Sequence, residues 1–551
     1  MAERHNRPDY FITNRNEMRG RTNRPATTAE TNGGFRFSEM VRRGAPAQSD
    51  ALLRVLAQRM VSNAGRVDSV IPAGFTYLGQ FIDHDLTKDP TKLSGGAPSG
   101  LPSTSERSPA LDLDSLYGKG PNDPQSARFY EPGTIRLRLG EAKASGPPAM
   151  PGFDLPRLGA LAPQTTEARL ADIPDRRNDE NLAVAQIHLA FMRFHNAVAG
   201  RHPGADFEAV RREVVLHYQW MIRHDFLPRI VEKTVLDDVF KNGRKVFEVG
   251  VSGPPTMPIE FSVAAYRLGH SMIREEYDWN EFFHGRTGAL APGSLENLFR
   301  FSGTSGNLSP FASSSPPPPN AVPSDLNNPV DGQADGLPSN WIADFTRLFD
   351  FKVDAGDPQL APKAPAGLNF AHVIDTRLTN FLRRLPVGSF AARPANPPAD
   401  ADQLNLAFRN LLRGRQVKLA TAQEVAVHFK NLGAATPTLT SKDILGPGKG
   451  GIDLTDLTDD LLIEATTETP LWFYILREAE MHGGKLGPIG GRIVAETFHR
   501  VIEGSHVSLL REPGWKPQGG KHRAGFGMVD ILLAAYSRDA GELRPLSPPA
   551  P

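Results

Sequence analysis

A histidine flanked by two aspartates is the first place in this chain where side-chain types and spacing could do chemistry. In the run GFTYLGQFIDHDLT, Asp83 and His84 lie three and four residues after Gln80. A helix would therefore carry all three on one face. Asp85 falls about 100° further round and points elsewhere. One helix can so present an imidazole and a carboxylate to one site and a second carboxylate to another. Leu78, Phe81, Ile82 and Leu86 surround these groups with bulky apolar side chains. Ionised groups in such a setting need a partner or a cofactor. The plainer alternative is a surface polar cluster with a satisfied histidine.

Three further segments carry candidate chemistry. In SPALDLDSLYG, Asp112 and Asp114 alternate with Leu111 and Leu113. Calcium takes about six to eight oxygen ligands. Asp112, Asp114, the Ser108 hydroxyl and the Ala110 carbonyl are spaced to supply them, with Asp85 added from the helix. By itself a DxD is common on surfaces. In DRRNDENL, Arg177 and Glu180 share a helical face; as an exposed ion pair they would be worth only about 0.3–0.5 kcal/mol. In FSVAAYRLGHSMI, His270 follows Gly269, which leaves room for a flat ring to approach the backbone, and Arg267 precedes it by one turn. His188 and His195 lie seven apart on one helix, too far for a close chelating pair, and read as core histidines.

Taken together, GQFIDHDLT, DRRNDENL with the following RFHN, and AYRLGHSMI closely resemble the peroxidase–cyclooxygenase superfamily, the animal-type haem peroxidases. The later run LGPIGGRIVAETF resembles its bacterial-type members, and the resemblance covers roughly residues 71–510. It implies a mainly α, helical peroxidase fold around a central haem. By it, His84 is the distal acid–base catalyst, Gln80 lines the halide-binding part of the pocket, and Arg177 completes the distal site. Asp83 and Glu180 match the positions that form esters to a haem b-derived ring. His270 matches the axial iron ligand, and Arg267 could meet a haem propionate. The LN-containing segment makes Asn405 the acceptor for the second N–H of His270. Asp85, Ser108, Ala110, Asp112 and Asp114 match the calcium loop; Asp114 departs from the hydroxyl expected there, and a third carboxylate should tighten binding. Asn181 replaces the methionine that forms a sulfonium link in the best-known chlorinating member, so that bond cannot form.

The implied reaction uses hydrogen peroxide to oxidise small organic donors or halide-like anions such as iodide, thiocyanate and bromide through a ferryl intermediate. A fatty-acid dioxygenase of the same superfamily is one alternative. Those enzymes carry a radical on a tyrosine three residues before the proximal histidine. Arg267 occupies that position, and Tyr266 falls on a different helical face. The others are a non-catalytic adhesion protein, disfavoured by the presence of Gln80, His84 and Arg177, and a non-haem metal hydrolase using Asp83, His84 and Asp85.

The elements that must position these groups are mostly helical in period. Helices are expected near 50–61, 74–87, 179–200, 205–226, 258–273, 376–384, 401–413, 459–481 and 487–503, and strands near 133–139 and 245–249. Gly, Pro and Ser cluster at 89–109, 302–338 and 394–398, which read as loops. The organisation expected is an N-terminal arm at 1–40, one catalytic domain at 41–535 and a tail at 536–551. Lys+Arg and Asp+Glu both number 62, so charge gives no case for nucleic acid as partner. The absence of cysteine removes disulfides, thiolate metal sites and thiolate-ligated haem. No apolar signal-peptide core or membrane-span window stands out, which fits a cytoplasmic protein or one exported by a non-classical route. GPGKGG at 446–451 satisfies GxGxxG but lacks the flanking strand and helix, and reads as a loop.

Overall fold

The computed structural model describes residues 9–12, 27–30, 37–62, 64–88, 105, 107–142, 152–160, 170–249, 256–289, 291–304, 337–364, 367–383, 385, 404–434, 437–447 and 450–546. The architecture is mainly helical, and strands among the described residues occur only as two-stranded pairs. The elements that matter for the site are α1 (Asp50–Met60), α2 (Gly74–Leu86), α3 (Leu182–Arg201), α4 (Phe207–Met221), α5 (Gly269–Met272), α6 (Leu406–Gln416), α7 (Leu471–Met481), α8 (Gly490–Gly504) and α9 (Met528–Ala535). No described helix is long and apolar enough to cross a membrane.

Helix α2 is launched from a short antiparallel pair, β1 (Asp68–Pro72) with β2 (Phe370–His372). It has no side-chain cap. Instead the Ala73 and Gly74 N–H groups donate to the carbonyls of Asn369 and Leu348, each at 2.8 Å. Gly74 is needed for this junction, because a Cβ there would sit 2.4 Å from the Phe349 ring and 2.7 Å from the Leu348 carbonyl oxygen. Phe75, Leu78, Phe81, Ile82 and Leu86 bury the apolar side of α2. Phe81 stacks on Phe191 of α3 with ring centroids 4.7 Å apart. Each such side chain contributes about 1.5–3 kcal/mol by leaving water.

Helix α3 is buried nearly all round and packs against α2, α4 and α9. Its N-cap is Asn181, whose side chain accepts from the Val184 N–H at 3.0 Å, which satisfies one of the donors left open at a helix start. A 3-10 turn at Arg176–Asp179 precedes it, so the helix begins later than the period suggested. The helix expected at 205–226 is α4 continued by a π-helical turn at Ile222–Phe226.

Four expectations change in the structure. The 258–273 segment is not one helix but an α turn at Ile259–Val263, a 3-10 turn at Ala265–Leu268 and α5. The 459–481 segment divides into Asp459–Thr467 and α7 at Pro470, a residue that cannot donate to the preceding turn. Only a 3-10 turn at Asn380–Arg383 represents 376–384. Residues 133–139 and 245–249 form no strand; the first holds a single bridge, Tyr130 to Leu137. Past residue 535 the chain remains packed, with Tyr536 and Leu543 buried. Most of the expected arm at 1–40, and most of the loops at 89–109, 302–338 and 394–398, lie outside the described residues.

Candidate active site

The distal half is built on the face of α2 that the sequence indicated. Gln80 and Asp83 are half-buried there, and His84 is 5% exposed. The His84 Nδ1 lies 2.8 Å from Asn178 Oδ1, and Asn178 Nδ2 lies 3.0 Å from His188 Nδ1. Burial, then the charge of Arg177, pushes His84 down to about 3, so the ring is neutral. Asp83 accepts from the Thr87 hydroxyl at 2.9 Å. Burial raises the Asp83 carboxyl, against the opposing pull of Arg267 and Arg177. Gln80 Oε1 accepts from the Asn181 amide at 3.0 Å. One asparagine therefore caps α3 and orients the glutamine.

Arg177 is fully engaged. Its Nη1 donates to the Thr87 carbonyl at 2.8 Å and its Nη2 to the His84 carbonyl at 2.9 Å. The same guanidinium pairs with Asp175 at 2.7 Å, and Arg107 Nε holds Asp175 from the other side at 2.9 Å. Burial would raise the Asp175 carboxyl, but Arg107 and Arg177 outweigh it and hold it well below the usual carboxylate range. Arg177 thus ties the carbonyl groups at the end of α2 to a buried anion. It also senses Asp83 and Glu180, and Glu180 is itself buried.

The proximal half faces α2, since α5 packs against it. Burial, then the Arg267 charge, pushes His270 down to about 3. Its Nδ1 lies 2.7 Å from the Asn410 amide on α6, and Arg267 Nη1 donates to Asn410 Oδ1 at 3.2 Å. Trp472 on α7 meets the His270 ring edge-on at 6.4 Å. Asn405, expected beside His270, is instead the N-cap of α6, its oxygen accepting from the N–H groups of Ala407 and Phe408. The reason is local. An asparagine just ahead of a helix satisfies that helix's own open donors, and Asn410, further along α6, is the one that reaches the histidine.

The residues present fit a haem. A Cβ added to Gly269 would meet nothing within 4 Å, so space adjoins the backbone beside His270. Gln80, Asp83, Arg267 and His270 form a partly open row amid buried surroundings. The buried Tyr266 hydroxyl has no hydrogen-bond partner among the described residues. Asp83 on α2 lies close enough to Arg267 to feel its charge, and α2 packs against α5. Ligation through His270 Nε2 requires a proton on Nδ1 and an acceptor behind it. Asn410 stands at that position, with its Nδ2 toward His270 Nδ1 and its Oδ1 engaged by Arg267.

The candidate calcium loop lies against the far side of α2. Asp85 is wholly buried and accepts from the Leu113 and Ser115 N–H groups at 3.2 and 3.3 Å. Leu113 takes a left-handed φ of 59° to make that turn. Asp112, Asp114, Ser108 and Ala110 are buried beside it, and the Ser108 hydroxyl has no hydrogen-bond partner among the described residues. Burial, then neighbouring Asp112, pushes Asp85 up to about 7. That donor set suits a hard cation. Among the described residues no three carboxylate or histidine side chains converge into a metal cluster by themselves, so a cation would depend on the Ser108 hydroxyl and the Ala110 carbonyl as well.

Residues 101–299 match the family model of the animal haem peroxidases. That stretch includes the candidate calcium loop, Arg177, Glu180 and His270, while α2 precedes it. A peroxidase-like protein of Margaritifera margaritifera is 27% identical over 185 residues, which is 31% of this chain and 22% of that protein. The chain therefore spans about a fifth of the length of that relative. Peroxidase A of Dictyostelium discoideum superposes with a TM-score of 0.55 at 15% identity, covering 92% of this chain and 94% of that one. A fatty acid alpha-dioxygenase of Oryza sativa gives 0.51 at 13% identity, covering 95% and 86%. At such identities the likeness is one of fold. Residues 101–299 are thus similar to the animal haem peroxidases, and the chain shares its helical fold with these solved structures.

Gln80, Asp83 and His84 share one face of α2, Asp83 lies within electrostatic reach of Arg177 and Arg267, Arg177 of Glu180, and α2 packs against the α5 turn that carries His270; Asp85 takes the Leu113 and Ser115 N–H groups close to Asp112. Sequence reasoning passed over Asn178, Asn410, Asp175 and Arg107. Asn178 and Asp175 stand inside the DRRNDEN string, and their polarity ahead of an apolar helix was the available signal.

Proposed function

We propose that the chain is a haem peroxidase that oxidises small organic donors and halide-like anions with hydrogen peroxide. One observation carries this reading. His84 on α2 and His270 on α5 stand on elements that pack against each other, each with an asparagine amide at its Nδ1.

Haem, when bound, supplies the redox chemistry, taking two oxidising equivalents from peroxide and returning them to the donor. The chain's own residues do the rest. His270 would hold the haem iron, with Asn410 at hydrogen-bond distance from its Nδ1 to orient the ring and Arg267 nearby for a propionate. His84 takes a proton from one peroxide oxygen and delivers it to the other, which departs as water. Arg177 places positive charge behind the breaking bond and fixes the carbonyl ends of α2. Gln80, oriented by Asn181, lines the approach for an anion. Asp83 and Glu180 stand at the positions from which carboxylates form esters with the ring. A calcium ion held by Asp85, Asp112, Asp114, Ser108 and Ala110 would fix the rotation of α2 and so the aim of His84. We assign this chemistry to a catalytic domain at 41–535.

Fatty-acid oxygenation is the second reading, and one observation favours it. In the broken 265–272 segment, helical spacing no longer governs which way Tyr266 points. Its hydroxyl lies 4.0 Å from where a Cβ of Gly79 would be, next to the distal face of α2. Arg267, at the position where the dioxygenases place their tyrosine, is tied to Ser262 and Asn410. Donor assays separate the two readings. The peroxidase reading expects peroxide-dependent oxidation of iodide, thiocyanate or phenols, and poor chloride oxidation because Asn181 cannot withdraw electron density through a sulfonium bond. Oxygen uptake with a fatty acid, and none of the former, supports the dioxygenase. Efficient chlorination contradicts the role given to Asn181.

A further inference from the structure

His84, Asn178 and His188 form a buried file whose hydrogen bonds have a direction. Asn178 and His188 are both 0% exposed. An amide accepts only at oxygen and donates only from nitrogen. With Asn178 Oδ1 turned to His84 Nδ1 at 2.8 Å, this arrangement has His84 carrying its proton on Nδ1. With Asn178 Nδ2 at 3.0 Å from His188 Nδ1, His188 must accept there and carry its own proton on Nε2. A neutral imidazole carries one ring proton, so each ring has one proton to place.

The placement decides what His84 can do. A neutral imidazole with a bare Nε2 is a base on that side, and one with Nε2–H is not. Turning the Asn178 amide over would exchange both tautomers at once. The Asn178 N–H donates to the Asp175 carbonyl at 3.0 Å, which fixes the residue's backbone and leaves the direction of its amide to the two histidines. His188 has a single hydrogen bond among the described residues, the one to Asn178, and is boxed in by the Phe81 ring at 5.8 Å.

We propose that Asn178, held in orientation by His188, is a positioning residue that fixes His84 in the Nδ1–H tautomer and leaves its Nε2 bare on the face shared with Gln80 and Asp83. The inference rests on the peroxidase reading for its purpose, while its structural content stands apart from any reaction with peroxide. His188, a core histidine by its spacing, is then the fixed end of the file.

The test is nitrogen-15 spectroscopy of the histidine-labelled full-length chain, with any bound haem kept as its diamagnetic ferrous–carbonyl form. Variants Asn178→Leu, Asn178→Asp and His188→Phe are compared, and His84→Gln assigns the signals. The expected wild-type spectrum has His84 as Nδ1–H and His188 as Nε2–H. In Asn178→Leu, His84 becomes a tautomer mixture, and the rate of the peroxide reaction falls about 10–100-fold, the usual cost of losing an outer-shell partner, with donor KM unchanged. In Asn178→Asp the carboxylate accepts from both rings, so His84 stays Nδ1–H, the rate is rescued, and His188 switches to Nδ1–H. Should Asn178→Leu fail to fold, the His188 switch and a tautomer mixture at His84 in His188→Phe still decide. Wild-type His84 found as Nε2–H, or a His84 tautomer indifferent to all three variants, overturns the proposal. A wild-type spectrum as expected in a protein inert to peroxide leaves the clamp standing and removes the peroxidase reading instead.

Discussion

Asp175 sits between two guanidinium groups, and its position explains how Arg177 can stand beside a neutral histidine. Without the carboxylate, Arg107 and Arg177 would face each other in a buried space. The depressed Asp175 carboxyl gives the sign of its effect on stability. Its contribution is fully present above the ordinary carboxylate range and is lost as pH falls below that range. Asp175→Asn should therefore cost about 3–5 kcal/mol at neutral pH, the usual penalty for removing one partner of a buried pair. It should also slow the peroxide reaction by loosening the Arg177 grip on His84 and Thr87. Chemical denaturation alongside stopped-flow kinetics checks both; a loss of stability with an unchanged rate would reduce the cluster to a structural support. The chemistry-bearing residues of this region were legible because His84, Arg177 and His270 stand in strings with few other uses. Asn178, Asn410 and Arg107 were not, since their partners lie 94, 140 and 68 residues away in sequence. Asn405 and Asn410 show the limit well. Both flank the same apolar turn, and only the path of α6 decides which one reaches His270 and which caps the helix.

At the scale of elements, α2 has two working faces. One presents Gln80, Asp83 and His84 to the cleft, and the other buries Asp85 against the 107–118 loop. A cation on the second face would set the rotation of the first. Chelation should accordingly lower the thermal midpoint and the peroxide rate together, as expected when a ligand binds only the folded form; saturation about a hundredfold above Kd corresponds to about 2.7 kcal/mol. Differential scanning calorimetry with and without chelator, paired with metal analysis, is the measurement. An unmoved midpoint in a protein containing no calcium contradicts it. Elements with an unbroken apolar period, α1 and α2, were legible to within a residue or two. The proximal segment was not. Its period runs on through 258–273, yet the chain breaks at Ala264, whose φ of −126° and ψ of −73° leave the helical region. That break frees Tyr266 and Arg267 from helical spacing, and tertiary packing against Phe261 and Phe498 sets it. The supposed strand at 133–139 failed for a related reason: its backbone is tied to the Asn196 side chain on α3 rather than to a partner strand.

For the whole molecule, the helical fold is a scaffold that brings residues from four distant parts of the chain to one cleft. Residues near 80, 177, 270 and 410 meet there, on α2, the turn before α3, α5 and α6. A mainly helical architecture could be read from period alone, because helices dominate wherever apolar spacing is regular. The convergence could not, because it depends on packing across hundreds of residues. The central claim is that this cleft holds haem and activates peroxide through His84. The most direct measurement is stopped-flow absorption of the haem-loaded protein mixed with hydrogen peroxide, wild type against His84→Ala. The account predicts a Soret band in both, a rapid peroxide-dependent shift of that band in the wild type, and a shift slower by about 10²–10⁴-fold in the variant. A protein that takes up no haem, or a variant whose Soret band shifts at the wild-type rate, would contradict it.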